Sequence, residues 1–143
     1  MAENAKQVQL KIITPAGVKV DEPADMVVMR CTSGDMGVLP GHEPHSAVLT
    51  YAPVRILSGG AERRIAVHGG LVEIENDLLT ILARDAEWPQ DIDLSQAQQN
   101  KEQAQQRLQE ERDDLEIQND QVLLRRALVQ IEVCSYTLTQ EEE

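Results

Sequence analysis

The chain has 143 residues, of which 41% are hydrophobic and 2% aromatic, and it contains no Phe. Its formal net charge is -12. Residues 85–143 carry most of the excess negative charge, with fifteen acidic side chains against five basic ones. Such a surface repels polyanions, and few aromatic rings are present to stack on bases. We therefore do not expect nucleic acid or anionic lipid to be a direct partner.

Secretion and membrane insertion are not expected either. Residues 1–6 lack the apolar core of a secretory leader, and no stretch approaches the roughly 18 consecutive apolar residues of a membrane span. Cys31 and Cys134 are far apart and do not suggest a disulfide framework. We expect both to be reduced, as in a cytoplasmic protein.

Short segments of alternating polarity in the first half of the chain predict β-strands. Segments with this pattern begin near Val8 and occur at residues 25–32, 46–52, 54–57, 65–67, 71–75 and 79–83. Gly59-Gly60 and Asn76-Asp77 tolerate the positive φ angles of two-residue hairpin turns. Regularly spaced short strands indicate an antiparallel β-sandwich or a β-barrel over residues 1–88, the first part of an α+β fold.

The pattern changes after Trp88-Pro89, and no Gly or Pro occurs from Asp93 onward. Asp93 and Asp113 each precede a helical pattern as candidate N-cap residues. Helices are predicted over residues 94–112 and 114–139. Because the junction between them is tight, residues 89–143 are expected to form an antiparallel two-helix hairpin or to open into a longer element.

The second helix carries more apolar surface than the first can cover. Its first stripe contains Ile117, Leu124, Leu128, Ile131 and Leu138. Its second stripe contains Val122, Val129, Val133 and Tyr136. The first helix offers only a thin stripe of Ala97, Ala104 and Leu108. The uncovered stripe is expected to pack on the sandwich or on another protein.

Residues 34–44, GDMGVLPGHEP, combine three glycines with two prolines and predict a rigid loop. Such a loop serves either as a docking surface or as a structural crossover between the sheets.

No recognisable catalytic or metal-binding motif is present. His42 and His45 lie three residues apart, His68 ends a predicted strand, and the neighbouring acidic residues are Asp35 and Glu43. A zinc site requires further ligands at defined spacing, so no metal is expected. The chain is predicted to dock onto other proteins and not to be an enzyme.

The segment at residues 34–44 resembles the Gly-(Glu/Asp)-x-Gly-(Ile/Val)-x-Pro-Gly-His-x-Pro signature of the ε subunit of bacterial F-type ATP synthases. The run AVHGGLVEIENDLLTILA resembles that family's Gly-Gly strand pair, and DIDLSQA before a helical hairpin resembles its C-terminal half. The resemblance extends from Val8 to Leu138. It implies a non-catalytic rotor-stalk subunit built from a β-sandwich and a helical hairpin.

The resemblance also implies partners. The sandwich would bind the γ subunit and the ring of membrane c subunits, with Asp35 and His42 facing the polar loops of that ring. The hairpin would either fold on the sandwich or extend along γ towards the α and β subunits and block ATP hydrolysis. The protein would couple catalysis to ion translocation from the cytoplasmic side of the membrane, as a peripheral subunit.

Some family members bind ATP on the folded hairpin through Ile/Leu-Asp-x-x-Arg-Ala and further arginines. The positions that match are Ile92, Asp93, Ala97 and Arg126. The other arginine positions carry Gln96, Gln103 and Gln130. Glutamine offers a polyphosphate neither positive charge nor bidentate donors. No cofactor is therefore expected, and ATP binding is predicted to be weak or absent.

Inhibition in this family is expected to use basic hairpin residues against acidic segments of the catalytic β subunit. The corresponding candidates are Arg107, Arg112, Arg125 and Arg126. The acidic end at residues 141–143 departs from that pattern. The alternative interpretation is an adaptor of the same fold in another assembly, and co-purification with a γ-like coiled-coil subunit separates the two.

Overall fold

The computed structural model of the chain describes residues 6–110 and 113–141. Within these ranges the strands are β1 (Val8–Thr14), β2 (Gly17–Ala24), β3 (Met26–Cys31), β4 (Gly34–Val38), β5 (His45–Ser58), β6 (Ala61–Glu75), β7 (Leu78–Ala83) and β8 (Ala86–Glu87). A 3-10 turn at Pro89–Asp91 leads to two helices, α1 (Leu94–Arg107) and α2 (Asp114–Glu141). The predicted β-sandwich followed by a helical hairpin is confirmed.

The strands form a mixed sheet in the order β2-β1-β7-β6-β5-β3-β4, with β8 beside β6. The described pairings are antiparallel except that of β1 with β7, which is parallel. The sandwich is therefore not wholly antiparallel. Short hairpins force antiparallel pairing, whereas the long connection from β1 to β7 allows a parallel one.

Alternating polarity builds one large core between the layers of the sandwich. On β1, the side chains of Val8, Leu10 and Ile12 are buried and the intervening ones are half-buried. Apolar side chains from every described strand join this core, with Trp88 packed against it. Since Phe is absent from the sequence, the core is filled by aliphatic and sulfur-containing side chains.

The glycine-rich segment is only partly a loop, which corrects the prediction. Its first half, Gly34–Val38, forms β4 and pairs with β3. Residues 39–44 remain irregular, and the Gly41 N–H donates to Asp77 Oδ1 at 2.7 Å. The loop is thereby attached to the turn between β6 and β7.

Strand β5 joins two segments that were predicted to be separate, because Pro53 does not interrupt it. Pro53 lies where the pairing of β3 with β5 shifts register between Val28 and Cys31. A strand tolerates a residue without an amide donor at such an irregularity.

Gly69 and Gly70 lie within β6, where the strand bends. Gly69 has a φ of 75°, and its carbonyl oxygen accepts the Arg84 N–H at 3.4 Å, between β7 and β8. Glycine adopts this left-handed conformation without a Cβ penalty, so β6 bends here and continues. A Cβ on Gly70 would lie 3.0 Å from Ala83 Cα and closer still to the Leu82 carbonyl oxygen.

The predicted N-caps of both helices are confirmed. Asp93 Oδ1 accepts the Gln96 N–H at 3.0 Å, and Asp113 Oδ1 accepts the Glu116 N–H at 2.9 Å. Each bond satisfies an amide that has no partner within its own helix.

Helix α1 ends at Arg107, five residues before the predicted end. The Gln109 and Glu110 amides bond three residues back, which tightens the chain into a turn. Arg112 lies outside the described residues. No helix in the described ranges is long and apolar enough to cross a membrane.

We expect Gly70→Ala to lower the free energy of unfolding by roughly 1–3 kcal/mol, because the new methyl group meets backbone atoms of β7. Gly37→Ala is the matched control, since its methyl group meets only the movable end of Met26. Urea unfolding followed by circular dichroism compares the two variants. Equal losses would contradict a specific close approach of β6 and β7.

Candidate functional site

Helix α2 docks on the sandwich through a small apolar contact. Ala66 on β6 is buried together with Val129 and Val133 on α2, and Tyr51 and Ile92 pack at the edges. Part of the second predicted stripe therefore packs on the sandwich.

The polar part of this contact centres on Glu87. Its Oε1 atom accepts hydrogen bonds from His68 Nε2 at 2.8 Å, Arg126 Nη2 at 3.0 Å and Gln130 Nε2 at 2.9 Å. Arg126 Nη2 also donates to Asp85 Oδ2 at 2.6 Å. We call His68, Asp85, Glu87, Arg126 and Gln130 the Glu87 cluster. In it, two carboxylates of the sandwich hold one guanidinium of α2 by charge-assisted hydrogen bonds.

The register of β6 and β8 brings the sandwich side of the Glu87 cluster together. Glu87 pairs with Ala66, and the His68 N–H donates to the Asp85 carbonyl oxygen at 3.0 Å. Side chains two residues apart on a strand share a face, so Ala66, His68 and Glu87 lie on the face that α2 covers.

His68 is only 2% exposed, and its ring centroid lies 5.8 Å from that of Tyr51. Burial lowers the pKa of the imidazole, the Arg126 charge acts in the same direction, and the bond to Glu87 opposes both. The ring is therefore neutral at pH 7, with Nε2–H donating to the carboxylate. Within the described part of the chain, Nδ1 is buried without a hydrogen-bond partner.

A second polar contact holds the C-terminal part of α2. Tyr136 Oη donates to the Glu62 carbonyl oxygen at 3.4 Å, and the Arg64 guanidinium lies 3.9 Å from the Tyr136 ring centroid. The Glu62 carboxylate bridges Arg55 and Arg64 at 2.8 and 2.7 Å. The bond to Arg55 is the main cause that lowers the pKa of Glu62 to about 2. Glu62 is therefore ionised throughout the physiological pH range.

The first stripe of α2 is only partly covered. Ile117, Leu124 and Ile131 are half-buried, whereas Leu128 and Leu138 are exposed. The buried residues that α1 contributes are small, Ala97 and Ala104. The hairpin thus keeps apolar surface in contact with solvent while it is docked.

A row of apolar side chains crosses five strands on the outer face of the sheet. This apolar row consists of Val48 on β5, Leu71 on β6, Leu82 on β7, Ile13 on β1 and Val18 on β2, each paired with the next. Val48, Leu71 and Leu82 are 47%, 54% and 49% exposed. Val122 of α2 borders the same groove, whose volume is about 800 Å³. Contiguous exposed apolar surface is typical of docking sites, so we treat the apolar row as a candidate site.

The residues expected at the c-ring lie on β4 and in the loop that follows it. Asp35 is exposed, and its Oδ1 lies 3.7 Å from Arg30 Nε. His42 is half-buried, with Nδ1 at 2.7 Å from the Glu43 carbonyl oxygen and its ring 6.2 Å from that of His45. Their predicted contact with the ring stays a prediction.

The residues of the ATP motif have separate roles in the docked hairpin. Asp93 caps α1, Ala97 is buried, and Ile92 packs at the edge of the α2 contact. Arg126 is already bound to Asp85 and Glu87. ATP binding is not tested by these contacts.

The candidate inhibitory arginines also differ in their surroundings. Arg107 Nη1 lies 3.7 Å from Asp120 Oδ1 and joins α1 to α2. Arg125 is exposed, whereas its neighbour Arg126 belongs to the Glu87 cluster. The fourth candidate, Arg112, is outside the described residues.

Two family models together match most of the chain. Residues 7–89 match the ATP synthase Delta/Epsilon chain beta-sandwich domain, and residues 90–135 match the ATP synthase Delta/Epsilon chain long alpha-helix domain. The ATP synthase epsilon chain of Bacillus licheniformis is 39% identical over 128 residues, which cover 90% of this chain and 98% of that protein. The epsilon chain of Bacillus subtilis is 42% identical over 112 residues, 78% of this chain and 85% of that protein.

Solved structures show the same fold. A chain of the Euglena gracilis mitochondrial ATP synthase aligns with a TM-score of 0.77 at 22% identity, over 92% of this chain and 81% of that chain. A chain of the Tetrahymena thermophila mitochondrial ATP synthase aligns with a TM-score of 0.52 at 13% identity, over 60% and 69%. At these identities the likeness concerns the fold alone.

A β-sandwich with an exposed apolar row, joined to a helical hairpin held by a charge bridge, defines a docking subunit of a larger assembly. The chain belongs to the delta/epsilon family of ATP synthase subunits, and the relatives described above are bacterial epsilon chains. The resemblance seen in the sequence and the non-catalytic assignment are both confirmed.

We expect Arg126→Ala to loosen α2, because Asp85 and Glu87 lose the guanidinium that separates their charges. The bridge is partly exposed, so the cost is on the order of 1 kcal/mol, or about 5-fold in the opening equilibrium. Hydrogen exchange of the α2 amides around Val129 measures this change. Arg125→Ala is the control, since it removes the same charge from an exposed neighbour, and an equal effect there would argue against a specific bridge.

Proposed function

We propose that this subunit works in the rotor stalk of the F-type ATP synthase, on the cytoplasmic side of the membrane, and couples ion translocation to catalysis. In this role the sandwich binds the γ subunit and the c-ring, and the hairpin inhibits ATP hydrolysis. Family membership supports a place in the ATP synthase. The similar Tetrahymena chain comes from an assembly described as central stalk and c-ring, which agrees with a stalk position.

The apolar row is the observation that carries this proposal. Its exposed side chains on β5, β6 and β7 form a ready surface for the apolar face of a coiled-coil partner, which in the stalk is the γ subunit. Burying one side chain such as Leu71 contributes roughly 1.5–3 kcal/mol. The row therefore contributes apolar surface that favours binding to γ.

The c-ring contact is assigned to Asp35 and His42. The loop that carries His42 is tied to the β6–β7 turn by the bond between Gly41 and Asp77, so its shape is fixed before docking. A rigid polar edge loses little conformational entropy when it binds the polar loops of another protein.

Inhibition requires that the hairpin leave the sandwich and extend along γ. The apolar contact of the hairpin with the sandwich consists mainly of Val129 and Val133 against Ala66. Burial of each valine contributes roughly 1.5–3 kcal/mol at most to the free energy of docking. A second surface that covers these valines together with the exposed Leu128 and Leu138 can offset that loss. The extended hairpin would present Arg107, Arg112, Arg125 and Arg126 to the α and β subunits.

Replacement of Leu71 by lysine tests the apolar row. We expect Leu71→Lys to weaken binding to the isolated γ subunit by about 2 kcal/mol, or about 30-fold in Kd, because a charge would be buried in the interface. Leu39→Lys is the matched control at 53% exposure, in the loop assigned to the c-ring. Surface plasmon resonance compares the two, and unchanged γ affinity for Leu71→Lys would exclude the row as the docking surface.

Truncation tests the regulatory role of the hairpin. Deletion of residues 91–143 should raise ATP hydrolysis by the assembled enzyme, because no segment then reaches the catalytic head. The comparison is with enzyme reconstituted with the full chain at equal occupancy of the subunit. Unchanged hydrolysis would reject inhibition through the hairpin.

Calorimetry tests nucleotide binding. Arg126 is neutralised by two carboxylates, and three family arginine positions carry glutamine, so the full chain should show no micromolar affinity for ATP. Gln96→Arg restores one arginine of the motif and is expected to bind ATP more tightly than the unaltered chain. Micromolar binding by the unaltered chain would contradict the expectation.

A further inference from the structure

Three members of the Glu87 cluster have the composition of a metal site. One ligand atom each from His68, Asp85 and Glu87 can be chosen so that all three lie within 4.8 Å of one another. Zinc holds imidazole nitrogen and carboxylate oxygen at about 2.0–2.2 Å, so the three groups need only small movements to converge on one ion. A water molecule would complete the tetrahedron.

A cation already lies among these groups in the docked hairpin. Arg126 Nη2 donates to both Asp85 and Glu87, at 2.6 and 3.0 Å. It compensates one of the two negative charges. When α2 leaves, the sandwich keeps two carboxylates and an imidazole, and no guanidinium remains between them.

The imidazole of His68 is suited to change its role. Its Nδ1 is buried without a hydrogen-bond partner among the described residues. The Nε2–H bond to Glu87 is therefore the one hydrogen bond among the described residues that holds the ring in its present tautomer. A shift of the proton, or a flip of the ring, turns a nitrogen lone pair towards the two carboxylates.

We propose that His68, Asp85 and Glu87 form a Zn²⁺ site that competes with Arg126, so that the metal ion and the docked hairpin exclude each other. Binding of the ion removes the partners of the guanidinium and releases the middle of α2. By thermodynamic linkage, weakening the hairpin contact must strengthen metal binding by the same factor. This proposal does not depend on the rotor-stalk function.

Titration of the full chain with zinc chloride in a calorimeter tests the site. We expect Arg126→Ala to bind one Zn²⁺ ion about 5-fold more tightly than the unaltered chain, the same factor by which this change favours opening of the hairpin. In the Arg126→Ala background, His68→Gln or Glu87→Gln should abolish this binding. His45→Gln in the same background is the control and should leave it unchanged. Mg²⁺, which prefers an all-oxygen shell, should not replace Zn²⁺.

Hydrogen exchange supplies an independent measurement. Saturating Zn²⁺ should accelerate exchange of the α2 amides around Val129 in the unaltered chain and should not do so in His68→Gln. Equal zinc affinity of Arg126→Ala with and without His68→Gln would place the ion elsewhere and overturn the proposal. Unchanged exchange of α2 at saturation, or no zinc binding by Arg126→Ala, would also overturn it.

Discussion

The arrangement of the two parts depends on one electrostatic constraint. The pairing of β6 with β8 places Asp85 and Glu87 close together, beside a buried His68 that is neutral and cannot compensate them. Like charges at this separation are unfavourable unless a cation joins them. Arg126 of α2 is that cation, and the apolar contact beneath it is small. Docking of the hairpin therefore combines this neutralisation of charge with the apolar contact of Val129 and Val133 on Ala66.

The local sequence pattern predicts much of the sandwich but not its details. The turns at Gly59-Gly60 and Asn76-Asp77 have the positive φ angles expected of them, and alternation located most of the strands. The glycines of β4 resemble turn residues, so the sequence predicts a loop there. No strand is predicted at β2, because it contains Pro23 and buries only Val20 and Ala24. The parallel pairing of β1 with β7 leaves no local signal at all.

The candidate site likewise contains parts that the sequence predicts and parts that it does not. Helix caps and the stripe that contains Val129 follow from short-range spacing, so the sequence predicted them. The Glu87 cluster joins residues that are up to 62 positions apart, from His68 to Gln130, and only the tertiary fold brings them together. The apolar row was also missed, because Leu71 and Leu82 show strand character without showing which face of the sheet they occupy.

Strand β6 carries both surfaces of the subunit on one continuous backbone. Ala66 and His68 lie under the hairpin, and Leu71 lies in the apolar row, with the bend at Gly69 between them. At about 3.3 Å per residue, His68 and Leu71 are separated by about 10 Å of strand. A rotation of the backbone at Gly69 would therefore change the angle between the hairpin contact and the apolar row, because one continuous strand carries both surfaces.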